Sequence, residues 1–189
     1  MKRREFVIKS GLTTIAIGTA SNMTSGMVNP SKGRDIIHIG VIGTGDRGGG
    51  LINVMNTIPE LNVVACCDVL PFRLQKGISN TSGKAKGYSD YRKLLDRKDI
   101  DAVLIATPFN THSQIAMEAI DADKHVFCEK TLAKGFDGII QLRNKVKSSD
   151  KIFQTGHQYH SSRLYRHVVD LIQNGKVGKV AAIECQWNR

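Results

Sequence analysis

The chain has 189 residues, of which 41% are hydrophobic and 23% charged, a composition with enough apolar material for a folded core. This apolar content excludes a wholly disordered protein. A collagen-like or low-complexity protein is also excluded, because the 18 glycines and 4 prolines follow no repeat. The formal net charge of +10 comes with neither interleaved aromatic residues nor a recognition-helix motif. A solvated basic surface is therefore expected, and no nucleic-acid partner.

The first 34 residues predict an export signal followed by a linker. Residues 1–20 combine a charged start, a weakly apolar stretch and a small-residue site at their end. The adjacent Arg3 and Arg4 resemble a twin-arginine signal, which predicts a periplasmic protein; the alternative is an ordinary basic amphipathic N-terminus. No cysteine directly follows the signal region and no apolar stretch reaches about 20 residues, so we expect no membrane anchor.

Short apolar runs rich in Val and Ile then predict strands that are buried on both faces of a parallel sheet. They lie at residues 36–42, 61–67, 102–106, 126–128 and 152–153, with a weaker strand before Tyr88. Helical periodicity fills the gaps, as in Leu51, Met55 and Ile58. This alternation predicts an α/β fold, a doubly wound Rossmann parallel sheet over residues 35–160.

Residues 161–189 predict a linking helix and the start of a second domain. An apolar stripe runs from Tyr165 to Ile172 and is closed by Asn174 and Gly175. A β-rich run over residues 180–187 follows. We expect it to be the first strand of a truncated α+β substrate domain; the alternative is a short protein that ends on an edge strand.

The four cysteines form no C-x-x-C pair. Their spacing fits neither a zinc site nor a dense disulfide framework, so no metal site is predicted. Cys66, Cys67 and Cys128 lie in apolar runs and are expected to be buried thiols.

A glycine-rich turn carries the strongest local signal. Gly43, Gly45 and Gly48 form G-x-G-x-x-G between the first strand and the first helix. The first glycine permits a tight turn, the second lets the backbone approach a pyrophosphate, and the third allows close helix–strand packing. The N–H groups at the helix start favour the phosphates, and Asp46 and Arg47 in the same turn are expected to contact the cofactor.

The next strand ends in Asp68, twenty residues beyond Gly48. A carboxylate at this place bonds both ribose hydroxyls of an adenosine and repels a 2′-phosphate, so NAD is predicted over NADP. Arg73 follows five residues later and would soften that preference if it reached the ribose; otherwise it is a surface residue.

Together with three further motifs, this turn resembles the Gfo/Idh/MocA family, the glucose–fructose oxidoreductase and inositol dehydrogenase family. The motifs are A-T-P-F-N-T-H at 106–112, C-E-K-T at 128–131 and G-H-Q at 156–158. All lie at the carboxyl ends of predicted strands, where an open α/β sheet binds its ligand. The resemblance covers about residues 35–189 and implies a carbohydrate or polyol substrate, with homo-oligomers formed through the second domain.

The resemblance also implies roles for individual residues. Lys130 would be catalytic: it points at the substrate hydroxyl and the nicotinamide, where an ammonium stabilises charge that develops during hydride transfer. The alternative is a surface salt bridge. The expected cofactor contacts beyond the glycine turn and Asp68 are Thr107, Pro108, Asn110, His112, Glu129, Lys130 and Gln158. For His112 a structural role at the helix start is the alternative, and Thr131 stands where the family usually has proline.

Three functions remain open. The first is an exported nicotinamide-dependent oxidoreductase for a sugar or polyol, its NAD tightly bound because no free pool is expected outside the cytoplasm. The second is a redox-neutral, NAD-dependent glycosidase, since the G-D-R-G-G turn at 45–49 resembles glycosyl hydrolase family 109. The third is a non-enzymatic dinucleotide-binding protein, which would leave Lys130 idle.

Overall fold

The computed structural model describes residues 36–81 and 84–186. The predicted export signal and linker, residues 1–34, lie outside the described residues. Within them the strands are β1 (Ile37–Ile42), β2 (Leu61–Cys67), β3 (Lys86–Tyr88), β4 (Ala102–Ile105), β5 (His125–Cys128) and β6 (Phe153–Thr155). The helices are α1 (Asp46–Met55), α2 (Pro71–Asn80), α3 (Tyr91–Leu95), α4 (His112–Asp121), α5 (Phe136–Lys147) and α6 (Arg163–Gln173), with 3-10 turns at Phe109–Thr111 and Gln158–Ser161.

The six strands form one sheet in the order β3-β2-β1-β4-β5-β6, and every neighbouring pair is parallel. This confirms the predicted doubly wound Rossmann sheet. The chain reverses its direction of winding between β1 and β4, so the loops after these two strands diverge and leave a crevice at their carboxyl ends. Ligands of open α/β sheets bind in such a crevice.

Two apolar layers cover the two faces of the sheet. Successive residues of β1 alternate between them: Val41 packs with α1 in one layer, and Ile42 packs with α4 and α5 in the other. Each such side chain is almost fully buried and contributes about 1.5–3 kcal/mol by leaving water. The core thereby holds the strand ends, and the loops that follow them, in fixed places.

The C-terminal part differs from the sequence prediction. The predicted helix forms as α6 and ends at Asn174, followed by Gly175 at φ 68°. Its apolar residues are exposed, with Leu164 at 68% and Tyr165 at 53%. The predicted strand does not form over residues 180–186, because a strand needs a hydrogen-bonded neighbour and no described strand pairs with this segment. Among the described residues, no helix has both the length and the apolar character for crossing a bilayer.

Candidate functional site

The glycine turn after β1 is packed too tightly for side chains at two of its positions. Gly43 has φ +90°, and a Cβ atom on it would lie 2.7 Å from the carbonyl oxygen of Ala106. A Cβ on Gly48 would lie 1.9 Å from the carbonyl oxygen of Gly43 itself. Only glycine fits at these positions, which brings the start of α1 against the ends of β1 and β4.

The start of α1 faces an open space. Its N-cap residue is Gly45, and no side chain caps the first-turn N–H groups. A Cβ at Gly45 would first meet the Arg73 guanidinium, at 3.5 Å. A helix N-terminus with uncapped N–H groups and a positive dipole end is suited to a phosphate, and the missing side chain leaves room for its approach.

Asp68, in the turn after β2, lines the same space. Its Oδ2 accepts a hydrogen bond from the Thr44 backbone N–H at 2.9 Å, and its Oδ1 accepts one from the Leu70 N–H at 2.9 Å. The carboxylate therefore ties the glycine turn to the turn after β2. Because a carboxylate offers about four acceptor positions, it keeps two for the hydroxyls of a ribose.

These elements enclose a cavity of about 590 Å³, a size usual for a cofactor site. Seven residues expected to bind the cofactor line it, namely Gly43, Gly45, Asp46, Arg47, Asp68, Thr107 and Pro108. Arg73 lines it as well. The uncapped helix, the glycine that admits a phosphate and the remaining acceptors of Asp68 all fit a dinucleotide.

The turn after β4 supplies the opposite wall. The Thr107 hydroxyl lies 2.8 Å from that of Thr111, and Pro108 precedes the 3-10 turn that leads into α4. Asn110 is exposed in that turn and is not among the residues that line the cavity. Its expected cofactor contact, like that of each site residue, stays a prediction.

His112 is a deeply buried polar residue near the site, at 1% exposure. Its Nε2 lies 2.7 Å from the carbonyl oxygen of Thr107, and its Nδ1 lies 2.8 Å from that of Thr131. The ring thus bridges the turn after β4 and the loop after β5, and the tautomer decides which nitrogen donates. Both nitrogens lie against backbone carbonyl oxygens, and His112 also lines a cavity that it shares with Lys130, so its expected cofactor contact stays a prediction.

Glu129 directly follows β5 and is 4% exposed. Its Oε1 accepts two hydrogen bonds from Arg47, from Nε at 2.9 Å and from Nη2 at 2.7 Å. Gly156 packs against it, since a Cβ there would lie 2.6 Å from Oε1. Sequence reasoning placed Arg47 and Glu129 in the site separately and missed the ion pair between them, because no local pattern links residues 82 positions apart.

Lys130 stands between two further cavities. One, of about 360 Å³, is also lined by Arg47, Glu129 and Gln158. The other, of about 970 Å³, extends over the turn after β6 and α6 and is lined by Gln158 and Tyr159. The Lys130 side chain is exposed, and within the described residues its ammonium makes neither an ion pair nor a hydrogen bond. The peptide bond between Lys130 and Thr131 is cis.

The cysteines beneath the site are inert. Cys66, Cys67 and Cys128 are buried and unpaired, and burial raises the pKa of each thiol to about 12. A thiol with so high a pKa is not a nucleophile at neutral pH. Within residues 36–81 and 84–186, no cluster of three or more His, Cys, Asp or Glu side chains is arranged to hold a metal ion.

In sequence, the chain is similar to known proteins that include an inositol dehydrogenase and a glycosyl hydrolase. The chain is 31% identical over 145 residues to an inositol 2-dehydrogenase of Salmonella typhimurium, a match over 76% of the chain and 42% of that relative. It is 37% identical over 125 residues to glycosyl hydrolase family 109 protein 1 of Bacteroides fragilis, covering 62% of the chain and 27% of the relative. The chain thus spans less than half the length of either relative.

A solved structure has a similar fold. The myo-inositol dehydrogenase of Lactobacillus casei, determined in complex with NAD(H) and myo-inositol, superposes with a TM-score of 0.71 at 30% identity. The match covers 76% of this chain and 43% of that one. Residues 37–157 match the GFO_IDH_MocA family, an oxidoreductase family with an NAD-binding Rossmann fold. With its glycine turn, its parallel sheet and this match, the chain belongs to the Gfo/Idh/MocA family.

Proposed function

We propose that this chain is the cofactor-binding part of an exported NAD-dependent oxidoreductase that acts on a sugar or polyol. The observation that carries the proposal is the position of Lys130. Its exposed ammonium lines the cavities on the side of β5 and β6, while Arg47 and Thr107 line both the dinucleotide cavity and the neighbouring one. Among the described residues the Lys130 ammonium has neither an ion pair nor a hydrogen bond, and it lies beside the dinucleotide cavity, where we expect the substrate to bind.

The residues of the chain divide the work. A bound nicotinamide supplies the hydride acceptor. The start of α1 would hold the pyrophosphate and Asp68 the adenosine ribose, while Thr107 and Pro108 would form a wall beside the other half of the dinucleotide. Lys130 orients a substrate hydroxyl and stabilises the negative charge that grows on its oxygen as the C–H bond breaks.

The expected substrate class follows from the character of the larger cavity. Its lining combines hydrogen-bonding groups, such as Gln158 and His157, with the rings of Tyr159 and Tyr165, whose centroids are 5.3 Å apart. Aromatic rings beside polar groups suit a molecule with both C–H and hydroxyl faces, as a sugar or cyclic polyol has. The dehydrogenases of the family named above act on inositol, which agrees with this class.

Replacement of Lys130 tests the proposal in the complete protein. Lys130→Ala should lower kcat by about 10²–10³-fold, the usual effect of removing one preorganised donor, and leave NAD affinity near wild type. Lys134→Ala is the matched control, since Lys134 is an exposed lysine in the same loop. Normal turnover by Lys130→Ala would remove the catalytic role and favour a non-enzymatic dinucleotide-binding protein.

A second candidate is the redox-neutral, NAD-dependent glycosidase. Two observations favour it: the 37% identity to the family 109 protein and the arginine in the glycine turn. In this chemistry a ring hydroxyl is oxidised, the acidified neighbouring C–H is lost with the leaving group, water adds, and the hydride returns. Every electron pair taken up is given back within one turnover, so no reduced cofactor accumulates.

The two enzymes are separable by one pair of assays. With an aryl glycoside, the glycosidase releases the aryl alcohol without a rise in reduced nicotinamide, and in heavy water it incorporates deuterium at the carbon next to the oxidised one. With a free sugar or polyol, the oxidoreductase produces reduced nicotinamide in proportion to oxidised product. Aryl release with solvent deuterium in the product would replace the first proposal by the second.

We further propose that the predicted substrate domain covers the larger cavity and that the complete protein forms a homo-oligomer through that domain. The exposed apolar residues of α6 and the open side of that cavity support this, because both lie on one surface. Sedimentation of the complete protein tests it: a monomer would contradict the oligomer.

A further inference from the structure

The ion pair of Arg47 and Glu129 places a buried carboxylate next to Lys130, in the loop that follows β5. The Glu129 side chain is 6% exposed, whereas that of Arg47 is 49% exposed. In the described part of the chain, Arg47 is the only residue that forms an ion pair with Glu129. Gly156 packs against the same oxygen, so Oε1 lies between one cation and one backbone surface.

Lys130, the next residue, lines the same cavity of about 360 Å³ as both members of this pair. Two cations therefore stand near one carboxylate. Glu129 pairs with Arg47, whose planar guanidinium places two N–H donors on a single oxygen and is more weakly hydrated than an ammonium. The Lys130 ammonium is left over, exposed and without a protein partner among the described residues.

We propose that Arg47 is a positioning residue for Lys130: it holds the charge of Glu129 and so keeps the Lys130 ammonium available for a substrate oxygen. A buried carboxylate that loses its partner is strongly destabilised, so a cation within reach gains by pairing with it. Lys130 lines the same cavity as Glu129 and carries an ammonium without a partner among the described residues, so we expect it to take the place of Arg47. The binding of a substrate oxygen by the Lys130 ammonium rests on the proposed function. The pairing of Glu129 with Arg47, and with Lys130 when Arg47 is removed, does not.

Acetylation of Lys130 measures this choice without any turnover. The chain is treated with N-hydroxysuccinimidyl acetate at fixed pH, and peptide mass spectrometry follows each lysine, with the exposed Lys176 as the internal standard. In Arg47→Met, pairing with Glu129 should slow the acetylation of Lys130 by about tenfold. In the double variant Arg47→Met/Glu129→Gln the rate should return towards that of wild type, because no carboxylate remains to pair with.

Three further variants make the test independent of folding defects. Glu129→Gln keeps an acceptor for Arg47, so Lys130 should be acetylated as in wild type; faster acetylation would mean that Lys130 already pairs with Glu129. Arg47→Lys keeps the cation and should also resemble wild type. Arg92→Met removes another arginine–glutamate pair, with Glu118, neither residue of which lines a cavity that Lys130 lines, and it should leave Lys130 unaffected.

The outcomes separate the two proposals. Unchanged acetylation in Arg47→Met, or a double variant as slow as Arg47→Met, overturns the positioning role. If the pattern appears but the complete wild-type protein turns over neither sugars nor aryl glycosides, the proposed function fails and the role of Arg47 stands. In an active protein, Arg47→Met should lower kcat, and the double variant Arg47→Met/Glu129→Gln should recover part of that loss. If Arg47 only contacted the cofactor, the second substitution would restore nothing.

Discussion

Replacing Asp68 with alanine should weaken NAD binding and destabilise the fold, because the carboxylate has two tasks. We expect its remaining acceptors to bind the adenosine ribose, and a hydrogen bond to a charged group is worth about 1.5–3 kcal/mol. The NAD dissociation constant should therefore rise by about 10- to 150-fold. The carboxylate also accepts from the Thr44 N–H, at 2.9 Å, in a residue that is 1% exposed. Leaving that amide unpaired should cost about 1–3 kcal/mol of stability.

The assay separates the two effects with a matched control. NAD and NADP are titrated by fluorescence, and urea unfolding gives the free energy of unfolding for each variant. Asp90 is the control, because its Oδ1 also accepts from an N–H two residues later, that of Arg92, at 3.0 Å. Asp90→Ala should lose about 1 kcal/mol of stability as a helix cap, with NAD affinity near wild type.

The comparison of cofactors decides whether Asp68 reads the ribose. Wild type should prefer NAD, and Asp68→Ala should narrow the gap because the repulsion of a 2′-phosphate is gone. Tighter binding of NADP than of NAD in wild type would refute the assignment. So would an NAD affinity of Asp68→Ala within twofold of wild type, and in either case Arg73 becomes the first residue to examine.

Three further predictions use other parts of the chain. Gly48→Ala puts a carbon 1.9 Å from a backbone oxygen, so it should abolish NAD binding and lower the melting temperature. Gly50→Ala is the control: a Cβ there has nothing within 4 Å, and the melting temperature should rise slightly. Equal effects of the two substitutions would contradict the packing of the glycine turn. A thiol reagent at neutral pH should modify Cys185 quickly and the other three cysteines, whose pKa values burial raises to about 12, only after unfolding; a second fast thiol would contradict this. Replacement of Arg3 and Arg4 by lysine should retain the protein in the cytoplasm of its host, as cell fractionation measures; unchanged export would exclude the twin-arginine route.

The strands are predictable from sequence because a parallel sheet is buried on both faces. Short continuous apolar runs are then the only pattern available, and β2 forms over the residues that its run indicates. Strand ends are less predictable because pairing sets them: β6 is shifted towards Thr155, opposite Cys128 of β5. The run after residue 179 is β-rich too, but sequence pattern alone does not supply a neighbouring strand.

The site is predictable to the extent that its signals are local. Gly43, Gly45 and Gly48 lie within six residues, and the backbone geometry that each one serves is set by the turn itself. The bridge of His112 to Thr131 spans 19 residues and depends on which turns the sheet brings together. A structural histidine and a cofactor ligand have the same sequence signature, so the sequence could not predict that His112 contacts both turns.

The order of the strands explains why four separate motifs act as one site. β1, β4, β5 and β6 are consecutive neighbours, so the four turns that follow them stand side by side. Side chains then join each turn to the next: Arg47 reaches Glu129, and His112 joins the turn after β4 to that after β5. Lys130 lies between these two connections along the chain. A change in either should therefore displace the ammonium before it disturbs the sheet, and it should lower turnover by more than it weakens NAD binding.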